Sequence, residues 1–235
     1  MASRACAAVP VAGRGEEPHA CREDAPLETC VQSIRACRIC RDTPRYGKPL
    51  DHEPRPVLQV SPTARICIAG QAPGTRVHAS GRPFTDPSGV RLRQWLAIAE
   101  GDFYDPGRTA IVPMGFCFPG LSASGSDLPP RRECAEIWRE ELLARLPRVR
   151  LVLAVGGYAQ KWHLGAEAAA LGVDETVRQW RRFYDAGPVP RVIPLPHPSW
   201  RNNRWLKQNP WFATELLPVL QNEVRSLLAR ETQAA

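Results

Sequence analysis

The sequence predicts a three-layer α/β/α domain built on a central four-stranded parallel sheet, and three observations carry that prediction. Four short apolar runs, at 65–70, 109–114, 150–156 and 191–196, are separated by stretches with helical spacing. Two of these runs lead directly into polar loops, Gly70-Gln71-Ala72-Pro73-Gly74 and His197-Pro198-Ser199-Trp200. In open α/β sheets, the carboxyl ends of the strands are where ligands bind. A chain of 235 residues with 43% hydrophobic content can also fill one large core, so one domain is expected.

The elements are justified in chain order. Residues 1–25 have no sustained hydrophobic period and are expected to form a disordered tail, as are 230–235; the domain spans 26–229. The first ten residues lack the apolar core of a secretory signal. No apolar run approaches the roughly 18 residues of a membrane span, which predicts a cytoplasmic protein with no membrane partner; a monomer is expected. The proline-rich stretch 44–62 reads as an extended connection into the first strand. The segment after Gly74 reads as a long loop up to Gly89, and helices are expected at about 87–99, 130–146, 157–165 and 210–229. The segment from Trp200 to Lys207 reads as a loop that mixes aromatic, cationic and amide groups.

The formal net charge of +7 fits a polyanionic partner, because Lys and Arg displace condensed counterions from a phosphate backbone; a merely basic surface fits equally. Eight cysteines in a cytosolic chain call for an explanation other than disulfides. Cys37-Arg38-Ile39-Cys40 is a C-x-x-C pair, compatible with zinc, an iron–sulfur cluster or redox chemistry. Cys117 follows the second apolar run and Cys134 opens a helix, so both can join that pair; Cys67 lies within a strand pattern, and Cys30 could be a displaced ligand.

The Gly-Gln-Ala-Pro-Gly loop, followed by Gly81-Arg82-Pro83-Phe84, and the later His197-Pro198-Ser199 resemble the two signature motifs of the uracil-DNA glycosylase superfamily, over roughly residues 30–225. The similarity is nearest to its iron–sulfur branches, families 4 and 5. It implies a monofunctional enzyme that removes uracil or another deaminated base from DNA and leaves an abasic site. It also implies a 4Fe-4S cluster held by Cys37, Cys40, Cys117 and Cys134, with zinc as the alternative, since four thiolates hold either.

Roles follow from the resemblance residue by residue. His197 would donate a hydrogen bond to uracil O2 as negative charge develops, and Phe84 would stack on the extruded base, unless it is simply a loop anchor. Gly70, Gln71 and Ala72 would line the base pocket, with Gln71 near the catalytic centre. Ala72 stands where the best-known motif has an aspartate, so water handling passes to Asp86, which before Pro87 is equally a good helix N-cap. His78 is a second candidate there, or a surface loop residue. Ser199 and Arg204 would contact DNA phosphates, and Trp200 or Arg201 would fill the vacancy left by the flipped nucleotide. The asparagine that related enzymes carry after the second strand is missing from Val112-Pro113-Met114-Gly115-Phe116, which leaves hypoxanthine, xanthine and ethenocytosine open as substrates.

Overall fold

The computed structural model describes residues 25–229. Two short helices, α1 (Leu27–Arg35) and α2 (Ile39–Asp42), precede the first strand, β1 (Ile66–Ala69). Then come α3 (Thr75–Ser80), α4 (Pro87–Leu96), α5 (Glu100–Tyr104) and β2 (Thr109–Ile111). The chain continues through α6 (Arg132–Cys134), a π turn (Ala135–Arg139) and α7 (Glu140–Ala144) to β3 (Leu151–Val155). Next are α8 (Gly157–Arg178), α9 (Trp180–Ala186) and β4 (Arg191–Leu195). A 3-10 turn (Trp200–Asn202), α10 (Asn203–Gln208), a second π turn (Phe212–Leu216) and α11 (Leu217–Ala229) close the domain.

The predicted sheet is present: four strands, all parallel, in the order β2-β1-β3-β4. Alternation along each strand sorts side chains to two faces. Cys67, Ala69, Ala110, Val112, Val152 and Ala154 join a core under α1, Trp138 and Leu142, and their small side chains let that helical layer sit close. Ile66, Ile68, Ile111, Leu153, Val155 and Leu195 join the opposite core with Leu92, Trp95, Phe212 and Leu220. The proline-rich connection flanks β2, with Gln59 and Ile111 exchanging backbone hydrogen bonds at 3.0 and 2.6 Å.

Several expectations are corrected. The stretch after Gly74 is not one long loop: Thr75–Ser80 is a helical turn closed by Gly81 at φ 70°. Asn203–Gln208 is a helix where a loop was expected, because Trp205 and Leu206 anchor it to the core. Helix α8 runs past residue 165 to Arg178 but breaks at Gly165 and Gly172, whose positive φ values interrupt the ladder. Cys30 is buried and disulfide-bonded, which removes it as a metal ligand and departs from the expectation of no disulfides. The strands that carry the two motifs are not neighbours, since β3 lies between β1 and β4; being parallel, they still end at one edge. The tail expected at 1–25 lies, apart from its last residue, outside the described residues, and so does 230–235. Among the described residues no helix is long and apolar enough to cross a membrane.

Candidate active site

The site begins where β1 ends. Gly70 O and Gln71 O accept hydrogen bonds from Met114 N and Gly115 N, both at 2.9 Å, so the loop stays pinned to the segment leaving β2. The next anchor is Phe84, whose φ of 53° is a left-handed conformation that non-glycine residues seldom adopt. It persists because its surroundings over-determine it. The Tyr104 hydroxyl lies within hydrogen-bonding range of both Pro83 O and Phe84 O (2.9 and 3.1 Å), and the Phe84 ring meets Phe103 edge-on at 5.9 Å. A methyl group on Gly70 would touch the Phe84 ring at 3.4 Å. Phe84 is therefore an anchor on one side, while its half-exposed remainder lies against the motif glycine.

Gly89 carries the same constraint from α4, because a Cβ there would fall 1.9 Å from Phe84 O. Gly89→Ala must displace either the helix or the Phe84 loop. We expect a loss of about 1–3 kcal/mol in stability, typical of overpacking, together with loss of whatever the Phe84 ring binds. Denaturant titration beside ligand binding measures both, and an unperturbed variant would disprove the constraint.

Asp86 caps α4: its Oδ2 accepts from Ser88 N at 3.2 Å and from Ser88 Oγ at 2.6 Å. The capping role is thus real, and it fixes the carboxylate in place. His197 arrives from β4 on the same edge, its carbonyl accepting from Asn202 Nδ2 at 2.6 Å. Arg91 of α4 donates to Ser199 O at 2.9 Å and ties the two motif regions together. Burial lowers the His197 pKa, which favours a neutral imidazole; the charges of Asp86 and Asp127 oppose that shift, and Arg201 adds to it.

Asp127 was not anticipated from sequence. It lies on the long loop before α6, and a methyl group built on Gly74 would be 3.4 Å from its Oδ2. No local motif marks it, since only folding brings residue 127 to the first loop.

The remaining predicted residues divide. Gln71 and Ala72 are half-buried at the edge. His78 sits in α3, and its ring packs on His52 (centroids 4.8 Å apart) and Phe118 (5.7 Å). Burial, then the nearby His52 and Arg55, lower its pKa. It is a packed residue of the region next to the loop rather than a surface loop residue. Trp200 is 73% exposed directly after the histidine motif, with Arg201 over its ring and Arg204 also exposed. Trp211 packs the last helix against Trp205 and Phe212. The basic segment 178–182, which by its charge could extend a phosphate track, is largely occupied: Arg178 bonds Asn209, Arg182 pairs with Glu167, and Trp180 is core. An open cleft of about 440 Å³ adjoins Asp86, lined by Arg76, Thr85, Val90, Arg91 and Gln94. After β2, Val112, Pro113, Met114 and Phe116 are buried and offer no side-chain amide.

On the other face of the sheet, Cys37, Cys40, Cys117 and Cys134 line one small cavity of about 10 Å³, closed by Ile34, Pro54, Pro56, Phe116 and Trp138. Cys67 is apart, in β1, and burial pushes its thiol up to about 11. The Cys134 thiol meets Cys40, which holds Cys40 below the ordinary thiol range and Cys134 well above it. Burial pushes Cys117 up to about 12. N–H groups are aimed at the sulfurs: Ile39 N and the Trp138 indole at Cys37, Arg55 N at Cys117, Phe116 N at Cys134. Arg131 lies beside Cys40. Four sulfurs in an apolar chamber with N–H donors turned towards them are a donor set that suits a thiolate-bound metal group. Among the described residues no three His, Cys, Asp or Glu side chains converge tightly enough to form a single-ion site.

A parallel α/β domain with a half-buried histidine and two carboxylates at the carboxyl edge, beside an aromatic held over a motif glycine, defines a ligand-binding protein whose site joins two loop motifs. Residues 58–221 match the family model of the Uracil DNA glycosylase superfamily. The chain belongs to that superfamily. The match begins after Cys37 and Cys40, so it takes in two of the four clustered cysteines.

Proposed function

We propose that this chain is a monofunctional DNA glycosylase that hydrolyses the N-glycosidic bond of uracil, or of another deaminated base, in DNA. The observation that carries this reading is that His197 and Asp86 share one sheet edge, within electrostatic reach of each other, in a chain of this superfamily. Extruding a nucleotide costs a few kcal/mol, repaid by stacking and edge contacts in a pocket; the Phe84 ring supplies the stacking surface. As the bond from the base nitrogen to C1′ breaks, its electron pair leaves with the base. His197 donates a hydrogen bond to the base oxygen where that charge collects. A water oxygen bonds to C1′, its proton passes to carboxylate, and fixed negative charge at Asp86 offsets the cationic sugar. Trp200 and Arg201 occupy the gap in the duplex, while Ser199, Arg204 and the Arg76–Arg91 cleft follow the phosphates.

The test is excision from single-stranded and duplex oligonucleotides carrying uracil, hypoxanthine, xanthine or ethenocytosine, read by strand scission after alkali. Repeated turnover on any of these supports the enzyme. One observation favours a second reading, a damaged- or abasic-DNA-binding protein: Ala72 replaces the usual aspartate, and Asp86 Oδ2 is already engaged by Ser88. Tight lesion-dependent binding without turnover on any substrate would select it.

We further propose that Cys37, Cys40, Cys117 and Cys134 hold a 4Fe-4S cluster, with zinc as the alternative. The cluster would join the α1–α2 segment to the loop after β2, a structural function. Anaerobically purified protein should be brown and contain iron and sulfide in equal amounts. A colourless, zinc-loaded preparation would replace the cluster by zinc.

A further inference from the structure

We propose that Asp127 is a second functional carboxylate of this site, acting with Asp86 on the sugar and on His197. This deepens the glycosylase reading and rests on it. The loop before α6 folds back on itself, with Leu128 N donating to Gly120 O and Ser122 N to Ser126 O, and an antiparallel bridge joins Leu121 to Asp127. That fold-back holds Asp127 at the base of the loop, with Oδ2 3.4 Å from where a Cβ on Gly74, the last glycine of the first motif, would stand. Asp86 from the cap of α4 and Asp127 from this loop act on His197 in one direction and Arg201 from the 3-10 turn in the other, so all three lie within electrostatic reach of the ring. Two carboxylates and one cation thus set its environment.

The two carboxylates are not equivalent. Asp86 is held by two hydrogen bonds from Ser88 on one oxygen, so its carboxylate is fixed in place and that oxygen is already engaged. Asp127 is exposed and accepts no side-chain hydrogen bond among the described residues. Both of its oxygens are therefore open to a hydrogen bond from the attacking water. In the hydrolytic step the water oxygen bonds to C1′, the C1′–N bond breaks towards the base, and the water proton goes to the Asp127 carboxylate and then to solvent. Asp86 contributes fixed negative charge, which loss of the aspartate at Ala72 would otherwise leave missing.

The test compares wild type, Asp127→Asn, Asp127→Glu and Asp86→Asn in single-turnover excision, with the His197 imidazole titrated by NMR in each. Asp127→Asn should slow excision at least tenfold without weakening DNA binding, lower the His197 midpoint, and be partly rescued by Asp127→Glu. Wild-type excision in Asp127→Asn, or a slower rate with an unmoved His197 midpoint, would overturn the assignment while leaving the glycosylase intact. A wild-type chain that excises no base would overturn the glycosylase reading and this one with it.

Discussion

His197→Ala should lower the excision rate by about 10²- to 10³-fold, equivalent to about 2.7–4 kcal/mol of barrier, while DNA affinity changes little. That is the usual consequence of removing one preorganised donor from a site where charge develops. The donor is preorganised here for identifiable reasons. Its backbone carbonyl is tied to Asn202, the following Ser199 carbonyl is tied to Arg91 of α4, and β4 ends in the fully buried Leu195. Burial favours the neutral imidazole, which keeps one N–H to donate without placing a full positive charge beside the cationic sugar. DNA affinity should persist because it rests on phosphate neutralisation by surface cations, which this change does not touch. Rate and equilibrium binding measured on the same oligonucleotide separate the two. Equal losses in both would mean that His197 holds the DNA rather than the leaving base.

The second large effect concerns stability. Arg139 is completely buried, and among the described residues it has no carboxylate partner; instead it donates to Val112 O (2.7 Å) and Pro113 O (2.8 Å), and its Nη2 meets His163 Nε2 at 2.9 Å. The π turn at Ala135–Arg139 is the extra-residue bulge that turns this side chain inward. Arg139→Leu would strand three acceptors, at about 1–3 kcal/mol each, so a loss of at least about 3 kcal/mol is expected. The carbonyls concerned immediately precede Met114 and Gly115, which pin Gly70 and Gln71, so the motif loop should loosen with them. Denaturant melts will show this; a variant as stable as wild type would contradict it.

The same pair makes stability depend on pH. Burial, and then the charge of Arg139, push the His163 pKa down to about 3, against about 6.5 in an unfolded chain. Between those values the unfolded state binds the extra proton. The contribution of His163 is therefore complete above about pH 6.5 and is lost as the pH falls towards 3, at up to about 1.4 kcal/mol per pH unit. His163→Gln should flatten the acid limb of the stability curve by one proton, and an unchanged slope would mean that the ring is already charged or solvated in the folded protein.

Much of the architecture was legible in the sequence. The four strands stand where the apolar runs are, because a fully covered parallel strand needs an uninterrupted apolar run and little else has that pattern. The cap at Asp86 was legible because Asp-Pro at a helix start is local chemistry. The two motif loops were expected on one edge if their strands were parallel neighbours; β3 lies between them, and they share the edge because parallel strands end together whatever their order.

What the tertiary structure alone decided is what depends on contacts between distant segments. The order β2-β1-β3-β4 sets β3 between the two motif strands, and no residue pattern within a strand encodes its neighbour. The helix at Asn203–Gln208 exists because Trp205 and Leu206 find a core to enter; polar and cationic residues around them hide that preference locally. His78 turned from a loop residue into a partner of His52 and Phe118. Asp127 and Arg139 lay outside every motif, and each acquired its environment only when segments some fifty or some thirty residues away folded against it. Short-range pattern determined the elements and the motifs; long-range packing determined which charges face the histidine.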